Sequence, residues 1–481
     1  MLMPGRNRRS RRFRFAFPRQ VRLAISAGVL ALLILCVVLI LRGCAGGGDA
    51  SLDVPAAGTQ QQVQDQPSAE QQGQPASGDQ ATGEQAAQGQ LPQEQQTSLD
   101  ASPEEQPTQE QAAAPQQTAQ VLEGEPFGQR SAVIRSIGDI VMHNPLLKGA
   151  YNSQDNSYDF SPYFSQIKDS MAAADYTVIN VDGPMGGKKH ASYRGYPQFN
   201  TPPHLLYALV DCGVDMLTLA NNHALDTYYD GLKDTIDNVE SVGLDHVGAY
   251  RTQEEHDTPK VVVIGGIRVG ITNYTVGTNN MAKRSDEEAT LYGLRMVSNS
   301  NAPDDIQALR DAGAEVVIVY MHWGEEYLRE VNNSIRNLAK KLVAAGADVV
   351  IGGHQHVVLP CEYLTVTDDS GASHTGLVLY GMGNFLSDQR ARYRDSGIIF
   401  EITLQDNPQT GKVEAVSPRY IPTYVQRTKG TSTYDYRVWP VGAVLDDPPS
   451  SISQDVLTRI RQVWQEQQEI FAGGPATAAK K

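Results

Sequence analysis

The stretch Asp348-Val349-Val350-Ile351-Gly352-Gly353-His354-Gln355-His356 decides how the rest of the chain is read. Its apolar half predicts a short buried strand. The two glycines free the backbone to turn sharply where that strand ends. Two histidines one residue apart can then point into one crevice, and imidazole suits Zn, Mn, Fe or Ni. Hydrogen-bonded loop histidines would leave the same short pattern, so the decision rests on how the other strands end.

Five further segments repeat the arrangement. A strand predicted over 132–137 ends in Gly138-Asp139, and one over 176–181 ends in Asp182-Gly183-Pro184. A strand over 215–219 ends in Ala220-Asn221-Asn222-His223. One over 315–320 ends in Met321-His322-Trp323-Gly324, and one over 376–380 ends in Gly381-Met382-Gly383-Asn384-Phe385. Helical spacing lies between them over 160–173, 202–211, 226–242 (with Asp226 as its cap), 303–312 and 334–345. Residues 261–264 and 268–274 read as a hairpin around Gly265-Gly266, followed by a polar insertion over 276–294. Alternating strands and helices imply a largely parallel sheet covered by helices, which binds ligands at the carboxyl ends of its strands. Any one of the six polar clusters could be a turn or a cap. Six at the same end of one sheet point to a shared site.

Composition divides the 481 residues into unlike parts. Residues 1–22 hold eight arginines and no acid. Residues 23–41 are an uncharged run, LAISAGVLALLILCVVLIL, spanning about 28 Å as a helix, close to the roughly 30 Å hydrocarbon core. They predict a transmembrane anchor over 23–42, single-pass in the cell membrane, with a cytoplasmic N-terminus and everything beyond it extracytoplasmic. A cleaved signal peptide would carry a shorter apolar region. Arg42 also fits poorly in a lipoprotein-like box, Leu41-Arg42-Gly43-Cys44. Residues 43–125 are Gln-, Ala- and Pro-rich, acidic, and free of Lys and Arg. Too few apolar side chains are present to offset ordering entropy, so a disordered stalk is expected. Residues 131–430 form the head. Residues 431–481 form a C-terminal helix and tail, disordered from 473 onward.

The net charge is −15. Nine arginines up to Arg42 and thirteen acids in the stalk leave the head near −11, which argues against a nucleic-acid partner. The head carries Cys212 and Cys361, whose pairing the sequence leaves open. It has no Cys-x-x-Cys, so no thiolate zinc site is indicated.

Asp139, Asp182, Asn222, His322, His354 and His356, with His223 beside them, make a ligand set for two divalent ions. Two such ions about 3.5–4 Å apart share a bridging carboxylate, acidify water between them and clamp an anionic transition state.

The ordered motifs Gly138-Asp139-Ile140-Val141-Met142, Asn180-Val181-Asp182-Gly183-Pro184, Ala220-Asn221-Asn222-His223-Ala224-Leu225-Asp226, His322-Trp323-Gly324, Gly353-His354-Gln355-His356 and Gly383-Asn384-Phe385 resemble the CapA-type capsule and poly-γ-glutamate synthesis proteins. That family is similar to the calcineurin-like metallophosphoesterases. The resemblance covers about 131–430 and implies an α/β fold, a four-layer αββα metallophosphoesterase-like sandwich. It implies that Asp139 and His356 hold one metal, Asp182 bridges, and Asn222, His322 and His354 hold the second. His223 would donate a proton or stabilise the transition state. One or two ions of Mn, Zn or Fe would serve. One position departs from the pattern: where phosphoesterases carry the histidine of Asp-x-His, this chain has Val141. His143 lies two residues further and is expected to miss the site.

Lys188, Lys189, His190 and Arg194 follow Asp182 and could grip the carboxylates of a polyanion. Asn384 is placed with them on the substrate side. A Debye length of roughly 8 Å lets such a patch outweigh the acidity of the whole head. Two functions fit. One is a membrane-anchored, metal-dependent hydrolase or transferase acting on poly-γ-glutamate or a similar anionic envelope polymer. The other is a non-catalytic accessory subunit that binds polymer or a membrane synthase complex for export or attachment. The ligand set favours the first, and Val141 favours the second.

Overall fold

The computed structural model describes residues 126–367 and 370–481. The expected basic segment, anchor and linker, residues 1–125, lie outside the described residues. Among the described residues no helix is long and apolar enough to cross a membrane.

β1 (Ser131–Val141) leads through α1 (Asn144–Ala150), a small hairpin of β2 (Tyr151–Asn152) and β3 (Ser157–Tyr158), and two short helices, α2 (Ser161–Phe164) and α3 (Lys168–Ala172), to β4 (Tyr176–Asp182). α4 (His204–Asp211), β5 (Met216–Thr218), α5 (Tyr228–Ser241), β6 (Asp245–Val247) and α6 (Gln253–Asp257) follow. β1, β4, β5 and β6 pair in parallel. The second run builds a separate six-stranded sheet. It comprises β7 (Val261–Ile264), β8 (Ile267–Thr275), α7 (Ala302–Asp311), β9 (Val316–His322), α8 (Asn333–Ala344), β10 (Val349–Gly353), β11 (Val358–Thr367) and β12 (Ser373–Met382), ordered β11-β12-β10-β9-β8-β7. The chain then returns to the first sheet with β13 (Asn384–Leu386), β14 (Ser396–Asn407), β15 (Lys412–Lys429), β16 (Tyr434–Pro440), α9 (Val441–Asp446), α10 (Gln454–Ile470) and β17 (Thr477–Ala478). That sheet is ordered β16-β15-β14-β1-β4-β5-β6, with β13 on β1 and β17 on β15.

Side-chain alternation explains why the strands form two sheets, as the family resemblance implies, where strand periodicity alone implied one. Along β9, Val316, Ile318 and Tyr320 enter a core shared with Ile134, Val178 and Met216 of the first sheet. Val317, Val319 and Met321 enter another core with Leu342 and Val343 of α8. β10 and β12 divide the same way. A strand buried on both faces has no polar face to display, so its sequence is a continuous apolar run. The sheets therefore pack face to face, with α7 and α8 over the second sheet. Ile137, Ile179 and Leu217 face a third core, shared with α1, α4 and α5 on the first sheet's other side. Tyr320 OH and Ser136 Oγ, 2.8 Å apart, are a polar contact between the sheets.

Several expectations are corrected. The sheets are mixed: β14, β15 and β16 run antiparallel to their neighbours. The helix expected over 160–173 is two helices separated by a turn at Ser165–Ile167. The head does not close at residue 430, because β16 continues the first sheet. The tail from 473 is ordered: β17 pairs with β15, and Lys480 Nζ meets Asp446 at 2.6 Å. Backbone pairing of two residues leaves no periodic signal in a sequence. Cys212 and Cys361 are both free and buried.

Candidate metal centre

Each donor stands at or just past the carboxyl end of a strand. Asp139 lies near the end of β1, Asp182 ends β4, and His322 ends β9. Asn222 and His223 follow β5, and His354 and His356 follow β10. Asn384 opens β13 in register with Asp139. Asp139 and Asp182 are 0% exposed.

Two groups of donor atoms converge. His322 Nε2 lies 2.9 Å from Asn222 Oδ1, 3.1 Å from His354 Nδ1 and 3.8 Å from Asp182 Oδ1. His356 Nδ1 lies 3.7 Å from Asp139 Oδ2, and donor atoms of Asp139, Asp182 and His356 all fall within 4.8 Å of one another. At 3.7 Å the imidazole and carboxylate are too far apart for a hydrogen bond. Ligand atoms on a tetrahedral ion with bonds of about 2.1 Å would stand roughly 3.4 Å apart, close to these spacings. Asp182 Oδ2 and His356 Nδ1 are buried without a hydrogen-bond partner.

The electrostatics fit a divalent ion. Burial pushes the Asp139 carboxyl up to about 6. Burial, with Asp139 alongside, pushes Asp182 well above the usual carboxylate range. Among the described residues no Lys or Arg pairs with either. Burial drives His322 and His354 downward and His356 down to about 3, so their rings are neutral and free to act as ligands. Buried carboxylates facing neutral imidazoles lack a counter-charge, which a divalent cation would provide.

The glycines act differently from the expectation. Gly352 and Gly353 continue β10. A Cβ on Gly352 would meet Tyr380 O at 2.2 Å, and one on Gly353 would stand 3.0 Å from Asp139 Oδ1. The turn falls on the histidines themselves, with φ 92° at His354 and 57° at His356. Left-handed backbone in such residues costs about 1–3 kcal/mol each and persists where the surroundings enforce it. Here the His354 N–H donates to Asp139 Oδ2 at 3.0 Å.

Three supporting residues carried no role in the sequence reading or a different one. Asn180 Nδ2 donates to Asp139 Oδ1 and to Asp182 Oδ1, both at 2.8 Å, and so aligns the two carboxylates. Asp226 was expected to cap a helix. Instead Thr227 is the N-cap of α5, and Asp226 Oδ2 accepts from His223 Nδ1 and from the Phe199 N–H, each at 2.7 Å. Phe199 meets the His223 ring edge-on at 4.6 Å. Asn279, from the polar insertion, has its amide nitrogen 3.3 Å from His223 Nε2 and accepts from Asn222 Nδ2 at 3.3 Å.

Of the residues expected on the substrate side, Asn384 is brought to the cluster, in register with Asp139 and with its Oδ1 buried and unpartnered. The others are engaged in and around their own loop. Lys189 pairs with Asp234 of α5 at 2.5 Å, and His190 shares that carboxylate. Lys188 lies over the Tyr193 ring at 5.3 Å, and Arg194 Nε donates to Gln198 O at 2.7 Å.

Residues 133–389 match the family described as bacterial capsule synthesis protein PGA_cap. The chain belongs to that family. It is 27% identical over 277 residues to the PGA biosynthesis protein CapA of Bacillus subtilis (strain 168), covering 55% of this chain and 65% of that protein. It is 27% identical over 281 residues to the capsule biosynthesis protein CapA of Bacillus anthracis, covering 56% and 63%. The chain thus spans slightly under two thirds of the length of these relatives. Among solved structures, it is similar to the calcineurin-like phosphoesterase YfkN from Bacillus subtilis at 16% identity and a TM-score of 0.37, over 72% of this chain and 99% of that one.

In this PGA_cap member the first motif supplies no imidazole. Val141 is buried and pairs in register with Asp182. His143 has its Nδ1 3.0 Å from Val141 O, and its ring packs against Phe199.

Proposed function

We propose that this chain is a membrane-anchored, extracytoplasmic protein of capsule or poly-γ-glutamate biosynthesis. Its head, with the four-layer αββα arrangement of metallophosphoesterases, would act as a divalent-metal-dependent hydrolase or transferase on the anionic polymer. The observation that carries this reading is the convergence of Asp139, Asp182, His322, His354, His356 and Asn222 without a counter-charge. Asp139 and His356 would hold one ion, Asn222, His322 and His354 a second, and Asp182 would lie between. Bound there, a divalent cation would supply Lewis acidity to a carbonyl or phosphoryl oxygen. Asn180 keeps both carboxylates aligned for that task.

His223 is the proton-handling group. Its Nδ1 is committed to Asp226, which fixes the ring and leaves Nε2 as the position that exchanges a proton with the leaving group. Phe199 closes one side of that ring. The anchor over 23–42 and the acidic linker over 43–125 would hold the head outside the membrane within reach of a synthase complex. The accessory reading is favoured by one observation, Val141, because a centre lacking the first-motif imidazole binds one ion more weakly.

The test uses the full-length chain loaded with Mn2+ and incubated with poly-γ-glutamate, following polymer length by gel filtration. Shortening or transfer is expected. His223→Ala should reduce it by about 10²–10⁴-fold with metal content retained. Asp226→Asn should reduce turnover with metal content retained. A fully loaded wild type that leaves the polymer unchanged would favour the accessory role.

A further inference from the structure

Beside the donor cluster lies Arg394, an arginine without a salt bridge among the described residues. Arg394 stacks on Tyr327, its guanidinium carbon 3.4 Å from the ring centroid. That ring lies 6.0 Å from the ring of His356. Among the described residues Arg394 has no ion-pair partner. The adjacent Glu326 forms no ion pair with it and lies close enough to act on the Tyr327 hydroxyl, His354 and Asp182.

Both groups are held in place. Tyr327 has φ 69°, and its N–H donates to Gln355 O, between the two histidines, at 2.8 Å. Asn384 Nδ2 donates to Arg394 O at 2.8 Å and to Gln389 Oε1 at 3.1 Å, and Gln389 Nε2 reaches the Tyr327 hydroxyl at 3.4 Å. The next residue, Asp395, is clamped by both arms of Arg459 on α10 at 2.7 and 3.0 Å. Glu466 ties Arg459 and Arg392 together at 3.0 and 2.6 Å. The loop carrying Arg394 is thus fastened to the donor cluster on one side and to the C-terminal helix on the other.

A guanidinium with one face on an aromatic ring keeps its edge N–H groups free for a planar oxyanion. A cation bound at the cluster would repel a fixed positive charge beside it, and an anionic ligand group lying between the two would relieve that repulsion. We propose that Arg394, stacked on Tyr327, is the specificity-determining residue that takes a carboxylate or phosphate of the substrate beside the reacting bond. This rests on the polymer-processing reading but is tested by binding rather than turnover. It assigns anion recognition to Arg394 and away from the basic loop at Lys188 and Lys189.

The probes are fluorescent poly-γ-glutamate and inorganic polyphosphate, titrated into full-length Mn2+-loaded wild type, Arg394→Ala and Arg394→Lys. Arg394→Ala should weaken binding about tenfold, in line with loss of a charged hydrogen bond. Its metal content should be unchanged, and the difference should shrink as salt is raised. Arg394→Lys keeps the charge and the stem packing but loses the fork, and should recover part of the loss. Tighter Arg394-dependent binding of poly-γ-glutamate assigns the anion as carboxylate, and tighter binding of polyphosphate assigns it as phosphate. Arg394-dependent binding without any shortening of the polymer would defeat the hydrolase reading and leave this one standing. Equal affinity in all three proteins at full metal content, or binding of neither probe by wild type, would overturn it.

Discussion

Replacing Asn180 with alanine tests whether the two buried carboxylates act as one metal-binding unit. Asn180 Nδ2 spends both its N–H groups on them, at 2.8 Å to Asp139 Oδ1 and 2.8 Å to Asp182 Oδ1. Hydrogen bonds to charged groups contribute about 1.5–3 kcal/mol each. Water could recover part of that in the space left by the amide. Loss of a partner that orients a metal ligand costs metal affinity about 10–100-fold, or about 1.4–2.8 kcal/mol. Asn180→Ala should therefore weaken Mn2+ binding to the full-length chain by 10–100-fold in calorimetric titration. The same donors favour the ionised carboxylates, so their removal should also raise the pH at which affinity is half-lost. Wild-type affinity and an unshifted pH midpoint in the variant would show that the aligned pair is not part of a metal site.

Three other outcomes follow from the same geometry. Metal affinity should fall as pH drops toward and through about 6, because burial raises the Asp139 carboxyl to that value and, with Asp139 alongside, Asp182 well above the usual carboxylate range, so protons compete with the ion. Burial keeps His322, His354 and His356 neutral, so calorimetry in buffers of different ionisation heat at about pH 6 should find protons released from the two carboxyls and few from imidazole. Gly353→Ala places a methyl 3.0 Å from Asp139 Oδ1, and should lower metal affinity while the metal-free chain keeps its far-ultraviolet circular dichroism.

The polar clusters at the strand ends were legible because the strands before them are apolar throughout. Residues such as Val316–Tyr320 bury alternate side chains in different cores, and the first polar residue beyond them marks where the sheet stops. The same property left the division into two sheets to the family resemblance, since a strand buried on both faces does not say what covers each face. Asn180 left a signal, a lone carboxamide within the run Val178-Ile179-Asn180-Val181. Asn279 left none, because it reaches His223 from an unpatterned insertion through a left-handed backbone, φ 49°. Asp226 was misread because an acid before a helix suits a cap equally well. The basic loop looked available until Asp234 of α5 was seen to take Lys189 and His190. The role of the C-terminal segment was invisible too, since it acts through ion pairs between α10 and a loop 64 and 74 residues earlier.

The central claim is that the strand-end cluster holds divalent metal. Elemental analysis of the full-length chain after reconstitution with Mn, Zn or Fe, beside a His354→Ala/His356→Ala double variant, tests it most directly. The geometry predicts up to two equivalents in the wild type, with one equivalent marking the centre weakened at Val141, and loss in the double variant. Wild-type protein that retains no metal after reconstitution with any of the three would contradict it.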